Sequence, residues 1–233
     1  MKTKTIIIAE AGVNHNGKLK NAIKLIDAAA ESGADYIKFQ HTNPNIISRN
    51  AKKADYQIKN TKIKESQKKM VKKLHLNWQK AYPVLLNHCK KKKIKFLTSV
   101  FCKDDYLQTK KYNFDFIKIP SGEIVNFPLL EEISKSNKKI ILSTGMATIK
   151  EISEALKILA KRCDIKKNVT LLHCVTAYPT PYKDANLLSI SFLQKKFKLN
   201  VGLSDHSLGI EVPISSIPLG VRIIEKHFTL SKK

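Results

Sequence analysis

Residues 5–40 read TIIIAEAGVNHNGKLKNAIKLIDAAAESGADYIKFQ, and two different periodicities follow one another within them. Thr5–Ala11 is a near-continuous apolar run, as a strand covered on both faces should be. Leu19–Ser32 then carries Ala22, Ile23, Ile26, Ala29 and Ala30 at helical spacing and stops at Gly33. Tyr36–Gln40 is apolar again around a single lysine, so strand, helix and strand alternate.

The same alternation runs down the chain. Further apolar runs occupy Lys95–Phe101, Phe116–Ser121, Lys139–Thr144, Val169–Cys174, Asn200–His206 and Arg222–Thr229, giving eight in all. Helical patterns lie at Trp78–Lys92, Pro128–Ser136 and Ile149–Ala160. Eight strands alternating with helices predict an α/β fold, a parallel (β/α)8 TIM barrel. Asn43–Asn77 is a long polar insertion after the second strand, on the face where long loops cover active sites. Gly209–Gly220 contains Pro213 and Pro218, and an interior proline costs a helix about 3 kcal/mol, so a short, broken or lost helix is expected there. Only Leu230–Lys233 follows the eighth run, so the expected unit is one barrel domain over residues 1–233 that lacks its last helix.

With 233 residues, 42% hydrophobic and 27% charged, the chain has the composition of one soluble globular domain. No apolar run approaches the ~20 residues of a membrane helix, and Ile6–Ile8 is too short for a signal-peptide core, so a cytoplasmic protein without membrane partners is expected. Cys89, Cys102, Cys163 and Cys174 show no metal-type spacing and read as free thiols, Cys174 within a strand. The net charge of +24 raises nucleic acid as a partner, but only Arg49, Arg162 and Arg222 among 43 basic residues are arginine, and no aromatic platform is interleaved. The lysines read as solvated surface whose positive field favours an anionic substrate.

Reactive groups of such barrels gather at the C-terminal ends of the strands. There the chain places Glu10, Lys38 with Gln40, Ser99, Lys118 with Ser121 and Glu123, Ser143, His173 ahead of Tyr178, Ser204 with His206, and Glu225 with His227. Any one of these alone reads more readily as a satisfied structural residue; convergence from eight strands favours a site. Lys38 and Lys118 with the hydroxyls of Ser99, Ser121 and Ser143 could bind a phosphate. His206 and His227, ending adjacent strands, are either a hydrogen-bonded rim pair or ligands for a divalent ion such as Mn2+ or Mg2+.

Six ordered motifs carry a resemblance: IIAEAGVNHNG (7–17), GADYIKFQ (33–40), LSTGMAT (142–148), YPTP (178–181), GLSDH (202–206) and IEKHFT (224–229). Together the series resembles the N-acetylneuraminate (sialic acid) synthase family, which includes the legionaminate and pseudaminate synthases. The resemblance implies a metal-dependent barrel enzyme that condenses phosphoenolpyruvate with an open-chain N-acylated hexosamine such as N-acetylmannosamine. It implies phosphoenolpyruvate contacts at Lys38, Ser99, Lys118, Ser121, Ser143 and Ser204, and sugar contacts at Gln40, Asn60, Glu123 and Tyr178. It further implies metal ligands at His206 and His227, a catalytic Glu10, and a homodimer for the full-length family member. The chain departs from the pattern at Thr98-Ser99-Val100-Phe101, at Thr176, and in ending before the family's last barrel helix and its C-terminal antifreeze-like domain. Two other readings stay open on the residues: a non-catalytic barrel remnant that at most binds phosphoenolpyruvate, and another phosphoenolpyruvate-dependent aldol-type synthase.

Overall fold

The computed structural model describes residues 4–231, apart from the side chain of Asn60. Eight parallel strands close into a barrel in sequence order: β1 (Ile6–Gly12), β2 (Tyr36–His41), β3 (Lys95–Val100), β4 (Phe116–Ile119), β5 (Lys139–Ser143), β6 (Val169–Cys174), β7 (Asn200–Asp205) and β8 (Ile223–His227). The helices are α1 (Leu19–Glu31), α2 (Asp55–Thr61), α3 (Gln67–Leu74), α4 (Trp78–Lys92), α5 (Lys103–Thr109), α6 (Phe127–Ser134), α7 (Ile149–Ala160), α8 (Ile165–Asn168), α9 (Leu188–Phe197) and α10 (Glu211–Ser216).

Helix α1 buries Ala22, Leu25, Ile26 and Ala29 and ends where Gly33 adopts a left-handed φ of 75°. Helix α7 starts with a reciprocal cap: Thr148 Oγ1 accepts from Glu151 N at 3.2 Å, and Glu151 Oε2 accepts from Thr148 N at 2.7 Å. The segment with two prolines makes the short α10 and a 3-10 turn at Ile217–Leu219 that holds Pro218. Pro213 sits in its first turn, where the missing N–H has no intrahelical acceptor to lose. β4 ends at Ile119 because Pro120 cannot donate to the ladder, so Ser121 and Glu123 lie on the 3-10 turn beyond it, not in the strand.

Inward positions follow the strand period of two. Ile8, Tyr36, Leu97, Phe116, Ile141, Leu172 and Ile223 form one apolar cluster that plugs the barrel. Gly202 on β7 leaves it room: a Cβ there would lie 2.5 Å from the Ile223 carbonyl oxygen and 2.7 Å from Leu172. Two residues further along the same strands come Glu10, Lys38, Ser99, Lys118, Ser143, Cys174, Ser204 and Glu225, all buried. An apolar floor thus carries a polar layer toward the C-terminal mouth.

The insertion folds over that mouth as a 3-10 turn at Pro44–Ile46 followed by α2 and α3. Inside it Lys53 is buried and donates to Thr61 Oγ1 at 2.8 Å and to the Ile63 carbonyl at 3.2 Å. All four cysteines are free. Among the described residues no helix is long and apolar enough to cross a membrane.

Candidate functional site

The polar layer is a network of hydrogen bonds and ion pairs. Lys38 Nζ lies 2.8 Å from Glu10 Oε2 and 3.5 Å from Glu225 Oε2, and donates to Ser99 Oγ at 2.9 Å. Lys118 Nζ donates to Ser143 Oγ at 2.7 Å and lies 3.8 Å from Glu225 Oε1. Ser204 Oγ donates to that same oxygen at 2.9 Å, and Gln40 Nε2 donates to Glu10 Oε1 at 2.9 Å. Glu225 therefore joins both lysines and one of the serines, a hub that reading the motifs for a phosphate site passed over. Strand parity would have found it, because Ile223, Glu225 and His227 alternate inward.

Ion pairing sets the charge states. Burial opposes the ammonium of Lys38, but Glu10 and Glu225 outweigh it and hold its pKa above the usual value. Burial pushes Lys118 down, Glu225 opposing and Lys38 adding to the shift. Burial would raise Glu225, yet Lys118, Lys38 and the Ser204 hydroxyl pull it from 4.5 to about 2. A carboxylate depressed in the folded state contributes stability above its unfolded pKa and loses it as pH falls through the folded one. Unfolding free energy measured in urea should therefore decline between pH 4.5 and about 2, and Glu225→Gln should flatten that part of the profile.

Ser121 sits beside this network, accepting from Gly145 N at 3.0 Å with Cys174 Sγ 3.2 Å away. A Cβ at Gly145 would lie 2.9 Å from Cys174 Sγ and from Thr176, and 3.0 Å from Ser121 Oγ. Gly145→Ala should thus cost about 1–3 kcal/mol by overpacking. Thermal unfolding checks this, with inorganic phosphate protecting the variant less than the parent.

At the rim, His206 and His227 stand with ring centroids 5.6 Å apart. His206 Nδ1 donates to the Val175 carbonyl at 2.6 Å, which leaves Nε2 as the lone-pair nitrogen. Burial, reinforced by His227 and partly opposed by that carbonyl, lowers the His206 pKa to about 4, so the ring is neutral and able to ligate near pH 7. Among the described residues no group of three or more His, Cys, Asp and Glu converges as a metal cage. The pair fits a cation that completes its shell with water or substrate oxygens.

The expected sugar contacts divide. Gln40 borders the Glu10 carboxylate, and Glu123, held by Asn126 Nδ2 at 2.7 Å, lines with Gln40 a cavity beneath the insertion. Tyr178 packs its ring 4.1 Å from His206, and Tyr56 of the insertion stacks on it at 5.0 Å, a partner no local pattern revealed. Asn60 lies outside the described side chains. His173 turns away from the mouth and donates from Nε2 to the Ala185 carbonyl at 2.8 Å. Outward-facing Asp205 and Lys226 pair across β7 and β8, bracing the ends that carry the two histidines.

The chain is 52% identical to the N,N'-diacetyllegionaminic acid synthase of Campylobacter jejuni over 98% of its own length and 69% of that protein. It is 38% identical to the enzyme of the same name from Legionella pneumophila, over 97% of this chain and 64% of the relative. The crystal structure of an N-acetylneuraminic acid synthetase from Leptospira borgpetersenii in complex with citrate superposes with a TM-score of 0.83 at 35% identity, covering 98% of this chain and 74% of that one. The model of the NeuB family matches residues 25–233, and the chain belongs to that family.

Proposed function

We propose that the chain carries the barrel active site of a synthase that condenses phosphoenolpyruvate with an open-chain N-acylated hexosamine, giving a nine-carbon 2-keto sugar acid and phosphate. The observation that carries this reading is the buried network of Lys38, Lys118, Glu10, Glu225 and three serine hydroxyls at the barrel mouth. Lys38 and Lys118 are suited to the phosphate, and Ser99 and Ser143, which accept from the lysines, keep their own protons free to donate to it. C3 of phosphoenolpyruvate bonds to the aldehyde carbon, water adds at C2, and the C2–O bond breaks, so phosphate leaves with the bridging oxygen. The two protons of the water end on the new sugar hydroxyl and on the departing phosphate. Glu10, oriented by Gln40 and Lys38, is the base that takes the first of them.

The two lysines and two carboxylates cancel in charge, so an anionic substrate adds uncompensated negative charge to a buried site. A divalent cation held by His206 and His227 supplies, when bound, positive charge beside the aldehyde. Incubation with phosphoenolpyruvate, Mn2+ and N-acetylmannosamine in 18O-water tests the reading. Expected are free phosphate without label and a 2-keto acid labelled at C2. Labelled phosphate, or no 2-keto acid, overturns it.

A further inference from the structure

A closed parallel barrel brings the starts of its strands, and the ends of the helices that return to them, to the end of the molecule opposite the mouth. Exposed lysines crowd that end. Residues 90–93, where α4 stops, are all lysine, and Lys95 opens β3. Lys110 and Lys111 follow α5, Lys135 follows α6, and Lys139 opens β5. Lys161, Arg162, Lys166 and Lys167 lie between α7 and β6, and Lys195, Lys196 and Lys198 close α9. The acids of this end are largely engaged. Asp35 pairs with Lys4, Asp115 with Lys95 and Glu131 with Lys161, while Asp164 caps α8 by accepting from Lys167 N at 3.2 Å. Glu31, the last residue of α1, adds one further negative charge. Lys91, Lys110, Lys166 and Lys196 make no ion pair among the described residues.

The helix dipole accounts for a lysine or two in a last turn, but not for Lys95 and Lys139, which open strands. The cations run from β3 round to β7, over α4, α5, α6, α7 and α9, and share one end of the barrel. A planar array of anions meets all of them at once, whereas a nucleic-acid duplex, being a rod, meets one row. Lysine also brings point charge without the guanidinium fork that reads bases and clamps single phosphates. We infer that this end of the barrel is a docking face for an anionic lipid bilayer, held to its surface by charge. Among the described residues no helix can span a bilayer, and docking of this kind requires none. Seated so, the chain turns Glu10, Lys38 and Lys118 away from the lipid and leaves the mouth open to soluble substrates. The docking face stands whether or not the condensation reading does.

Co-sedimentation with phosphatidylcholine vesicles, plain or carrying about one quarter phosphatidylglycerol, tests this at about 0.1 M salt, where charges act over roughly 10 Å. Partitioning onto the anionic vesicles should exceed that onto the plain ones by about 100-fold or more, each lysine near such a surface being worth roughly five-fold. About 1 M salt should release the chain. Lys91→Glu, Lys110→Glu, Lys166→Glu and Lys196→Glu together should remove most of that preference. Lys64→Glu, Lys69→Glu, Lys72→Glu and Lys80→Glu make the same change of net charge on exposed residues at the mouth end, and should leave most of it. If the first set melts early, glutamine at the same four positions should show the same loss at about half the size. Equal losses from the two sets, or a parent with no preference for the anionic vesicles, overturn the docking face. A mixed-sequence DNA duplex that strips the chain from the vesicles at equal phosphate concentration, through the same four lysines, assigns the end to nucleic acid and overturns the bilayer.

Discussion

Replacing Glu225 with leucine should lower stability by about 3–5 kcal/mol, because the substitution leaves Lys38 and Lys118 with one buried carboxylate between them. Breaking a buried ion pair costs more than the pair contributes, since the remaining charge keeps its desolvation penalty. Lys118 suffers most: Glu225 is the charge that opposes the effect of burial on it, so the ammonium should give up its proton. For a domain of this size the melting temperature should fall by roughly 6–20 °C. Glu225→Gln keeps the shape and an acceptor for Ser204 Oγ, and its loss should be smaller. Adding Lys118→Met to Glu225→Leu should recover part of the deficit, as removal of both members of a buried pair often does. Thermal and urea unfolding of the three variants checks the set. A double variant no more stable than Glu225→Leu alone would show that the cost is one of packing rather than unpaired charge.

That hub also marks where the sequence was legible and where it was not. Trp78–Lys92 and Ile149–Ala160 fold as helices with the bounds their spacing predicts, because each buries a regular apolar face. α2 and α3 escape such a reading: Gln67–Leu74 is half lysine, buries none of its residues fully, and is held by the Ser66 cap and by packing against the 3-10 turn at Pro44–Ile46. The polar layer was legible in principle from one rule, that each strand repeats its inward face every second residue. Applied from the apolar floor it reaches Glu10, Lys38, Ser99, Lys118, Ser143, Ser204 and Glu225 together, whereas motif reading alone chose the lysines and hydroxyls and left Glu225 aside. Tyr56 was beyond reach, since its contact with Tyr178 exists only once the insertion has folded back over the mouth. Asp205 and Lys226 show the same parity in the opposite sense: both face outward, and their pairing fixes the strand ends instead of joining the network.

His227→Ala and His206→Ala should each remove metal-dependent turnover by about 10^3-fold or more, the several kcal/mol that charge stabilisation by a bound cation supplies. The two variants should part in other respects. His227 is exposed at the end of β8, so its truncation leaves the fold intact, and denaturation in the presence of chelator should match the parent. His206 is held by the Val175 carbonyl and covered by the Tyr178 ring, so its truncation also frees that loop. Binding of Mn2+ alone, followed by electron paramagnetic resonance, separates ligation from catalysis. Both variants should lose it, and in the parent binding should weaken as pH falls and protons compete for the His206 imidazole. Mn2+ binding that survives both substitutions would remove the ligand assignment. Mn2+ binding that survives only in His227→Ala, with turnover gone, would give that ring a role toward substrate and leave His206 to hold the cation with other groups.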